Sequence, residues 1–401
     1  MSKPKLLYLV HRIPYPPNKG DKIRSFHFLQ ALSAEYQIFL GTFVDDPDDR
    51  EFVDALKTFC QDACCIDLNP RLGKIMSLLG LLSGEALSLP YYRNQQLQEW
   101  VDKTIREQSI ERVMIFSSPM AQYVDKYTNL HRLADFVDVD SDKWRQYALS
   151  KHWPASWIYR REAEKLLAYE QRIAALADAT IFVSEQEAGL FKALAPESAA
   201  KISFVNNGVD TDRFDPELLW ETPFPAVRQA IVFTGAMDYW ANVDAVKWFA
   251  EQVFPIIRSA LPDVHFYIVG SKPAREVLQL AENDPGVMVT GRVEDVRPYV
   301  AHADVVVAPL RIARGIQNKV LEAMAMAKPI VATTAAMEGI PGGADLQVAI
   351  ADSAEDFASL VLRFLEQRIE LVGANRRYVE SDFSWEQNGQ HLCRLLAGES
   401  A

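Results

Sequence analysis

A chain of 401 residues exceeds what one ordinary hydrophobic core organises and suits two domains. Its composition, 49% apolar and 24% charged, is that of a folded globular protein and excludes a disordered or collagen-like chain. A net charge of −12 argues against a general nucleic-acid binder, which carries a basic face.

The chain opens with a charged stretch and then Leu6–Val10, only five apolar residues before His11 and Arg12. That is too short for a secretory segment, and no stretch approaches the ~18 uninterrupted apolar residues of a spanning helix. The expectation is a cytoplasmic chain, with any membrane contact peripheral, at the inner face of the cytoplasmic membrane. Cys60, Cys64, Cys65 and Cys393 have neither zinc spacing nor a C-x-x-C pair and read as buried reduced thiols.

Short apolar or β-branched runs then alternate with amphipathic stretches, the signature of a parallel sheet covered by helices. Strands are predicted at Leu6–Val10, Gln37–Phe43, Ala63–Asp67, Arg112–Phe116, Leu133–Val137, Thr180–Val183 and Ile202–Val205. A helix is predicted over Asp21–Glu35, where Ile23, Phe26, Leu29 and Leu32 recur at three-residue steps. Residues 211–228, polar and holding Pro223 and Pro225, read as a linker. The alternation restarts with Ala230–Thr234, Val264–Val269, Val287–Val289, Val305–Ala308 and Ile330–Thr333, and a last helix runs from Phe383 to Leu396. The predicted architecture is α/β, with two Rossmann-like doubly wound domains facing across a cleft. The first covers residues 1–210, completed by a C-terminal helix at 381–401; the second covers 229–380.

The segment Ala308–Ala327 carries its own chemistry. A buried strand ends at Pro309, a loop with Arg311, Arg314 and Gly315 follows, and an Ala/Met/Leu-rich helix begins near Gln317. The free N–H groups of a helix start, with about half a positive charge, suit a phosphate. Lys319 adds a full charge in the first turn. Glu322, three residues on, offers a carboxylate to sugar hydroxyls, unless the two form only a surface ion pair.

The ordered pieces Val232-Phe233-Thr234-Gly235, His265 to Gly270, Val289 to Val293, Gly315 to Ala325 and Lys328-Pro329-Ile330-Val331-Ala332 resemble the GT-B glycosyltransferases, in particular the retaining group called family 4. Val183-Ser184-Glu185 and Asn207-Gly208-Val209-Asp210 resemble the last elements of that family's first domain, so the likeness covers nearly the whole chain. It is closest to bacterial sugar transferases of exopolysaccharide gene clusters.

The resemblance implies transfer of a sugar, with retention, from a UDP- or GDP-sugar to a hydroxyl of a glycan or lipid-linked glycan. It implies a donor site of Gly20, Gly235, Arg311, Arg314, Gly315, Asn318, Lys319 and Glu322, with Glu322 on the nucleotide ribose. His11, Lys22 and Arg24 fall on the acceptor or phosphate side. Asp138 stands where the family commonly has a catalytic histidine, with Asp140 the second choice. The chain departs from the family pattern at position 314, where Arg replaces an expected glutamate, and after Gly235, where the usual Arg and Lys are missing. Helix termini and basic residues can meet the diphosphate charge, so no cofactor and no essential metal are expected. A nucleotide-sugar epimerase or a non-catalytic nucleotide-sugar-binding relative on the same scaffold are the alternatives.

Residues 142–172 hold seven Lys/Arg against four Asp/Glu, interleaved with Trp144, Tyr147, Trp153, Trp157 and Tyr159. Arg71 to Leu79 forms a second amphipathic candidate. Either suits an anionic membrane surface or a lipid-diphosphate acceptor; either also suits a helix packed on its own core with a solvated basic edge.

Overall fold

The computed structural model describes residues 3–17, 20–224, 229–313, 315–340, 348–367 and 373–399. The chain divides into two compact units: Met1–Asn206 with Trp385–Ala401, and Asn207–Ser384.

In the first unit the chain runs β1 (Lys5–Val10), α1 (Gly20–Glu35), β2 (Gln37–Val44), β3 (Asp62–Asp67), α2 (Pro70–Ser77), α3 (Leu79–Ser83), α4 (Ser88–Tyr91), α5 (Gln95–Gln108) and β4 (Arg112–Phe116). It continues through β5 (His131–Val137), α6 (Asp140–Ser150), α7 (Ala155–Leu176), β6 (Ala179–Phe182), α8 (Glu185–Leu194) and β7 (Ile202–Phe204). The seven strands are parallel in the order β3-β2-β1-β4-β5-β6-β7. Strand period two sorts β1 between the faces. Leu6, Tyr8 and Val10 pack with Phe28, Leu29 and Leu32 of α1, whereas Leu7 and Leu9 pack with Leu97 and Val101 of α5 and Ile173 of α7.

The second unit runs β8 (Gln229–Thr234), α9 (Trp240–Trp248), α10 (Phe254–Ala260), β9 (Val264–Val269), α11 (Arg275–Asn283), β10 (Val287–Gly291), α12 (Arg297–Ala301), β11 (Val305–Ala308), α13 (Asn318–Ala325), β12 (Ile330–Ala332), β13 (Val348–Ile350), α14 (Ala354–Gln367) and α15 (Ala374–Asp382). Its parallel sheet has the order β10-β9-β8-β11-β12-β13. Both sheets are doubly wound. The strand order reverses between β1 and β4 in one and between β8 and β11 in the other, and such reversals open a crevice at the strand carboxyl ends.

Two boundaries differ from the sequence reading. Residues 207–224 pack into the second unit, because Val209, Phe214 and Phe224 are buried in its core; Pro225 lies outside the described residues. The tail helix also starts later. Phe383 belongs to the second core, and α16 (Trp385–Ala397) returns to the first unit, laying Leu392, Leu395 and Leu396 against the α1 side of the sheet. Gly389 permits that approach, since a Cβ there would fall 2.5 Å from Ala31 Cβ. The three-residue strand β13 has no counterpart in the sequence reading. It is only half-buried and too short to show a pattern.

Candidate functional site

The carboxyl end of β8 is built on two glycines. Gly270 follows β9, and a Cβ there would fall 1.6 Å from the carbonyl oxygen of Gly235, so no other residue fits without moving the backbone. The Gly235 N–H donates to Val269 O at 3.0 Å, locking the two strand ends together. On the other side, a Cβ at Gly235 would stand 2.8 Å from Asn242 Nδ2 and 3.1 Å from Lys319 Nζ.

Lys319 therefore fills the space beside Gly235. Its Nζ donates to Asn242 Oδ1 at 2.7 Å and lies 4.0 Å above the centre of the Phe233 ring. Asn242, on the first turn of α9, in turn donates to Ala236 O at 2.9 Å, which fixes its amide. Burial pushes the Lys319 ammonium down to about 7, against the upward pull of Glu322. Burial pushes Glu322 up to about 7, against the charges of Lys319 and Arg213. Both side chains are only half-buried, so each keeps a face toward solvent. No side chain caps the start of α13, and the buried Asn318 Oδ1 has no partner among the described residues. Gly315 enters this helix with φ 66°, a left-handed conformation that a side chain disfavours. The site thus offers open helix N–H groups, one ammonium and one carboxyl, arranged for an anion with hydroxyls attached.

Arg311 behaves differently from its expected role. It forks onto Asp244 of α9 at 3.0 and 2.5 Å, and its charge is already matched. Arg314 lies outside the described residues.

In the first unit, His11 sits at the end of β1, where the strand order reverses. Its ring stacks on Phe116 at 5.8 Å and meets Tyr92 edge-on at 5.8 Å, with Nε2 3.4 Å from Asp21 Oδ2. Arg12 bridges Asp21 at 2.7 Å and Asp45 at 2.9 Å. Burial would raise the Asp21 carboxyl, but the His11 hydrogen bond and the Arg12 charge hold it well below the usual carboxylate range. Gly20 borders open space, with nothing within 4 Å of a Cβ placed there.

Lys22 and Arg24 are corrected by the structure. Both side chains turn inward from α1 and are fully buried. Lys22 pairs with Asp49 at 2.9 Å. Arg24 pairs with Asp135 at 2.8 Å, donates to Val205 O at 2.7 Å and lies over Phe28. Taking these charges out of water is tolerated because carboxylates meet them, and neither is presented to a phosphate.

After β5 the backbone turns through Val137 at φ 67°, rare for a β-branched residue and a strained conformation. Lys143 gathers the two acids that follow, at 2.7 Å from Asp138 and 3.2 Å from Asp140. Glu187 accepts the Val139 N–H at 2.7 Å and Glu170 accepts the Ser141 hydroxyl at 2.5 Å. Asp138 and Asp140 therefore share one ammonium on a braced loop.

Sequence reasoning did not find Asn242, Arg12, Asp21 or Lys143. Asn242 had one signal, a polar residue facing inward among the apolar Ala241, Ala245 and Val246 of α9. The other three show their partners only once the loops are folded.

Residues 228–367 match the family model described as Glycosyl transferases group 1. Over 249 residues, 57% of this chain and 64% of the relative, the sequence is 27% identical to a GDP-mannose-dependent monoacylated alpha-(1-6)-phosphatidylinositol monomannoside mannosyltransferase of Corynebacterium glutamicum; the match spans under two thirds of that protein's length. Among solved structures, sucrose-phosphate synthase from Thermosynechococcus elongatus superposes with a TM-score of 0.71 at 17% identity, over 98% of both chains. Anabaena HepE in complex with UDP gives 0.64 at 15% identity, over 98% of this chain and 99% of that one. These likenesses establish the GT-B fold, two parallel-sheet α/β units.

Proposed function

We propose that this chain, which has the GT-B fold and matches the group 1 glycosyltransferase model over residues 228–367, moves a sugar from a UDP- or GDP-sugar to a hydroxyl of a glycan or lipid-linked glycan, with retention, in bacterial exopolysaccharide or cell-surface glycan synthesis. The observation that carries this reading is the seating of Lys319 between Gly235 and Asn242, with Glu322 one turn further along α13. The name of the C. glutamicum relative describes a nucleotide-sugar donor and a lipid-linked acceptor, which supports the same class for this chain. We propose the cytoplasmic side of the membrane as the place of this reaction.

In this reading the diphosphate rests on the first turn of α13 and on Lys319, and the ribose hydroxyls meet Glu322. The bond between the anomeric carbon and the diphosphate oxygen breaks as the acceptor hydroxyl adds to the same face of the sugar. The electron pair leaves with the diphosphate, which the helix terminus and Lys319 stabilise, and the hydroxyl proton leaves with the departing nucleotide or to solvent. The Asp138–Lys143 pair in the first unit is assigned to the acceptor side.

The test is product analysis with UDP- and GDP-sugars and lipid-linked glycan acceptors, with the anomeric configuration read by NMR. Transfer with retention is the expected result. Epimerised donor in the absence of acceptor, or donor binding without turnover across the acceptor pool, would contradict it.

A further inference from the structure

We infer that the first unit carries a second ligand site, a cavity between one stripe of α7 and the chain around α4, built for a single hexose-sized sugar ring bearing one carboxylate or phosphate. The cavity lies wholly within the first unit, and the inference does not depend on where the nucleotide sugar binds.

The cavity measures about 370 Å³. Small-ligand sites run from roughly 300 to 1,000 Å³, so this one suits one ring with a substituent. Part of its lining is the stripe Lys165, Ala168, Tyr169 and Arg172 of α7, which the spacing i, i+3, i+4, i+7 places on one side of the helix. The rest includes Glu85 and Arg93, on either side of α4, and Gln122 and Asp125 from the segment after β4. Their own bonds hold these groups in place. Arg93 forks onto Glu85 at 3.1 and 3.2 Å and donates to Gln122 Oε1 at 3.2 Å. Gln122 donates to Leu89 O at 3.1 Å and to Pro119 O at 2.9 Å. Arg172 donates to Asp125 at 2.7 Å and lies over the Tyr169 ring at 5.0 Å.

Tyr169 is the group that asks for a ligand. Its ring packs into the core with 7% of the residue exposed, yet its buried hydroxyl has no hydrogen-bond partner among the described residues. The charges that act on that hydroxyl are those of Asp125, Arg172, Arg93 and Glu85, all four on the lining, which turns the O–H end toward the cavity. Burial raises the phenol above its usual range, so it stays an O–H donor. Buried hydroxyls in folded proteins are nearly always satisfied, and here an acceptor on a ligand can satisfy this one.

The charges on the lining select the guest. Three cations, Lys165, Arg93 and Arg172, meet two carboxylates, Glu85 and Asp125, which leaves one positive charge over. Lys165 supplies it, being exposed and without an acidic partner among the described residues. A ligand with one anionic group therefore suits the site, its oxygens taken by Lys165 and the Tyr169 hydroxyl. Glu85 and Asp125 accept from sugar hydroxyls, and the arginines donate to sugar oxygens. The two ion pairs reach solvent, and such pairs contribute little, so their members can turn to a ligand at small cost. A bare anion would be repelled by the carboxylates, and a neutral sugar would leave Lys165 unmatched. An acidic sugar uses both kinds of group.

Titration of the full chain with glucuronate, glucose-6-phosphate, glucose and inorganic phosphate, followed by saturation-transfer NMR, tests this. Glucuronate or glucose-6-phosphate is expected to bind at least tenfold tighter than glucose or inorganic phosphate. The tighter of the two tells whether the source is an acidic sugar of a glycan or a free sugar phosphate. Tyr169→Phe, which removes only the hydroxyl, should weaken that ligand about tenfold or more, as for a hydrogen bond to a charged group. Lys165→Gln should do the same. Neither variant should lower the melting temperature, because neither group has a partner in the fold. Lys319→Ala should bind the acidic sugar like the parent, which separates the cavity from the donor site. Binding of neither acidic sugar would overturn the inference, as would an affinity unchanged in Tyr169→Phe or lost in Lys319→Ala instead. Inorganic phosphate binding as tightly as the sugar phosphate would overturn it too, reducing the site to a cluster of cations. A lower melting temperature in Tyr169→Phe would make the hydroxyl structural and remove its role in the site.

Discussion

Lys319 Nζ and Asn242 Oδ1 stand 2.7 Å apart, joining the first turn of α13 to the first turn of α9 beside Gly235. An ammonium with one neutral partner, held over an aromatic ring, is fixed in place without being neutralised. That condition distinguishes it from Arg311, whose charge Asp244 already matches.

Asn242→Ala removes the group that orients Lys319. A hydrogen bond to a charged donor contributes about 1.5–3 kcal/mol, so UDP or GDP affinity is expected to fall roughly 10- to 100-fold. Uridine or guanosine affinity should hold within a factor of about two. Calorimetric titration of both ligands decides it, and equal losses would place Asn242 on the nucleoside.

The pH dependence has a definite sign. Lys319 and Glu322 titrate as one coupled pair near 7, and as pH rises through that range the pair loses protons, from the ammonium and from the carboxyl. Each change weakens a diphosphate. Affinity is therefore expected to fall as pH rises through 7, by up to about tenfold per unit for one linked proton, while nucleoside affinity stays level. A diphosphate affinity that is flat or rises over this range would contradict the assignment.

Arg24 is expected to act on stability and not on ligand. Arg24→Ala leaves Asp135 buried without its guanidinium partner, at a cost of about 3–5 kcal/mol. Urea unfolding should show a lower midpoint, whereas the folded fraction should bind UDP or GDP as the parent does. An unchanged midpoint with lost nucleotide affinity would return Arg24 to the phosphate.

The shared ammonium at Asp138 and Asp140 predicts an asymmetric outcome. Asp138 makes the shorter contact, 2.7 Å against 3.2 Å, so Asp138→Asn should lower kcat by a factor of ten or more with donor affinity unchanged, and Asp140→Asn should do less. Lys143→Met should resemble Asp138→Asn, because it frees the carboxylate from its fixed position. Full activity in Asp138→Asn with loss in Asp140→Asn would move the role two residues along.

Most of the sheet was legible in the sequence, because strands such as Val305–Ala308 and Val264–Val269 are buried and written as almost wholly apolar runs, with His265 the one polar residue. The domain border was not. Residues 211–228 read as a linker by composition, and only the burial of Phe214 and Phe224 shows that the stretch up to 224 packs. The Gly315–Glu322 segment was legible because one glycine, one cation and one acid stand at fixed helical offsets. Lys22 and Arg24 were misread for the opposite reason: charges at a helix start look solvated in sequence, and their partners Asp49 and Asp135 are 27 and 111 residues away.

The most direct test of the donor site compares diphosphate with nucleoside binding in Lys319→Ala and Lys22→Ala. A nucleoside diphosphate brings two to three negative charges, and helix N–H groups supply about half a positive charge. Lys319→Ala is expected to lose about a hundredfold or more in UDP or GDP affinity, with uridine or guanosine affinity nearly constant. Lys22→Ala should bind both like the parent, once corrected for the fraction folded. Loss of diphosphate affinity in folded Lys22→Ala, with none in Lys319→Ala, would place the phosphates on the first unit and contradict the assignment made to α13.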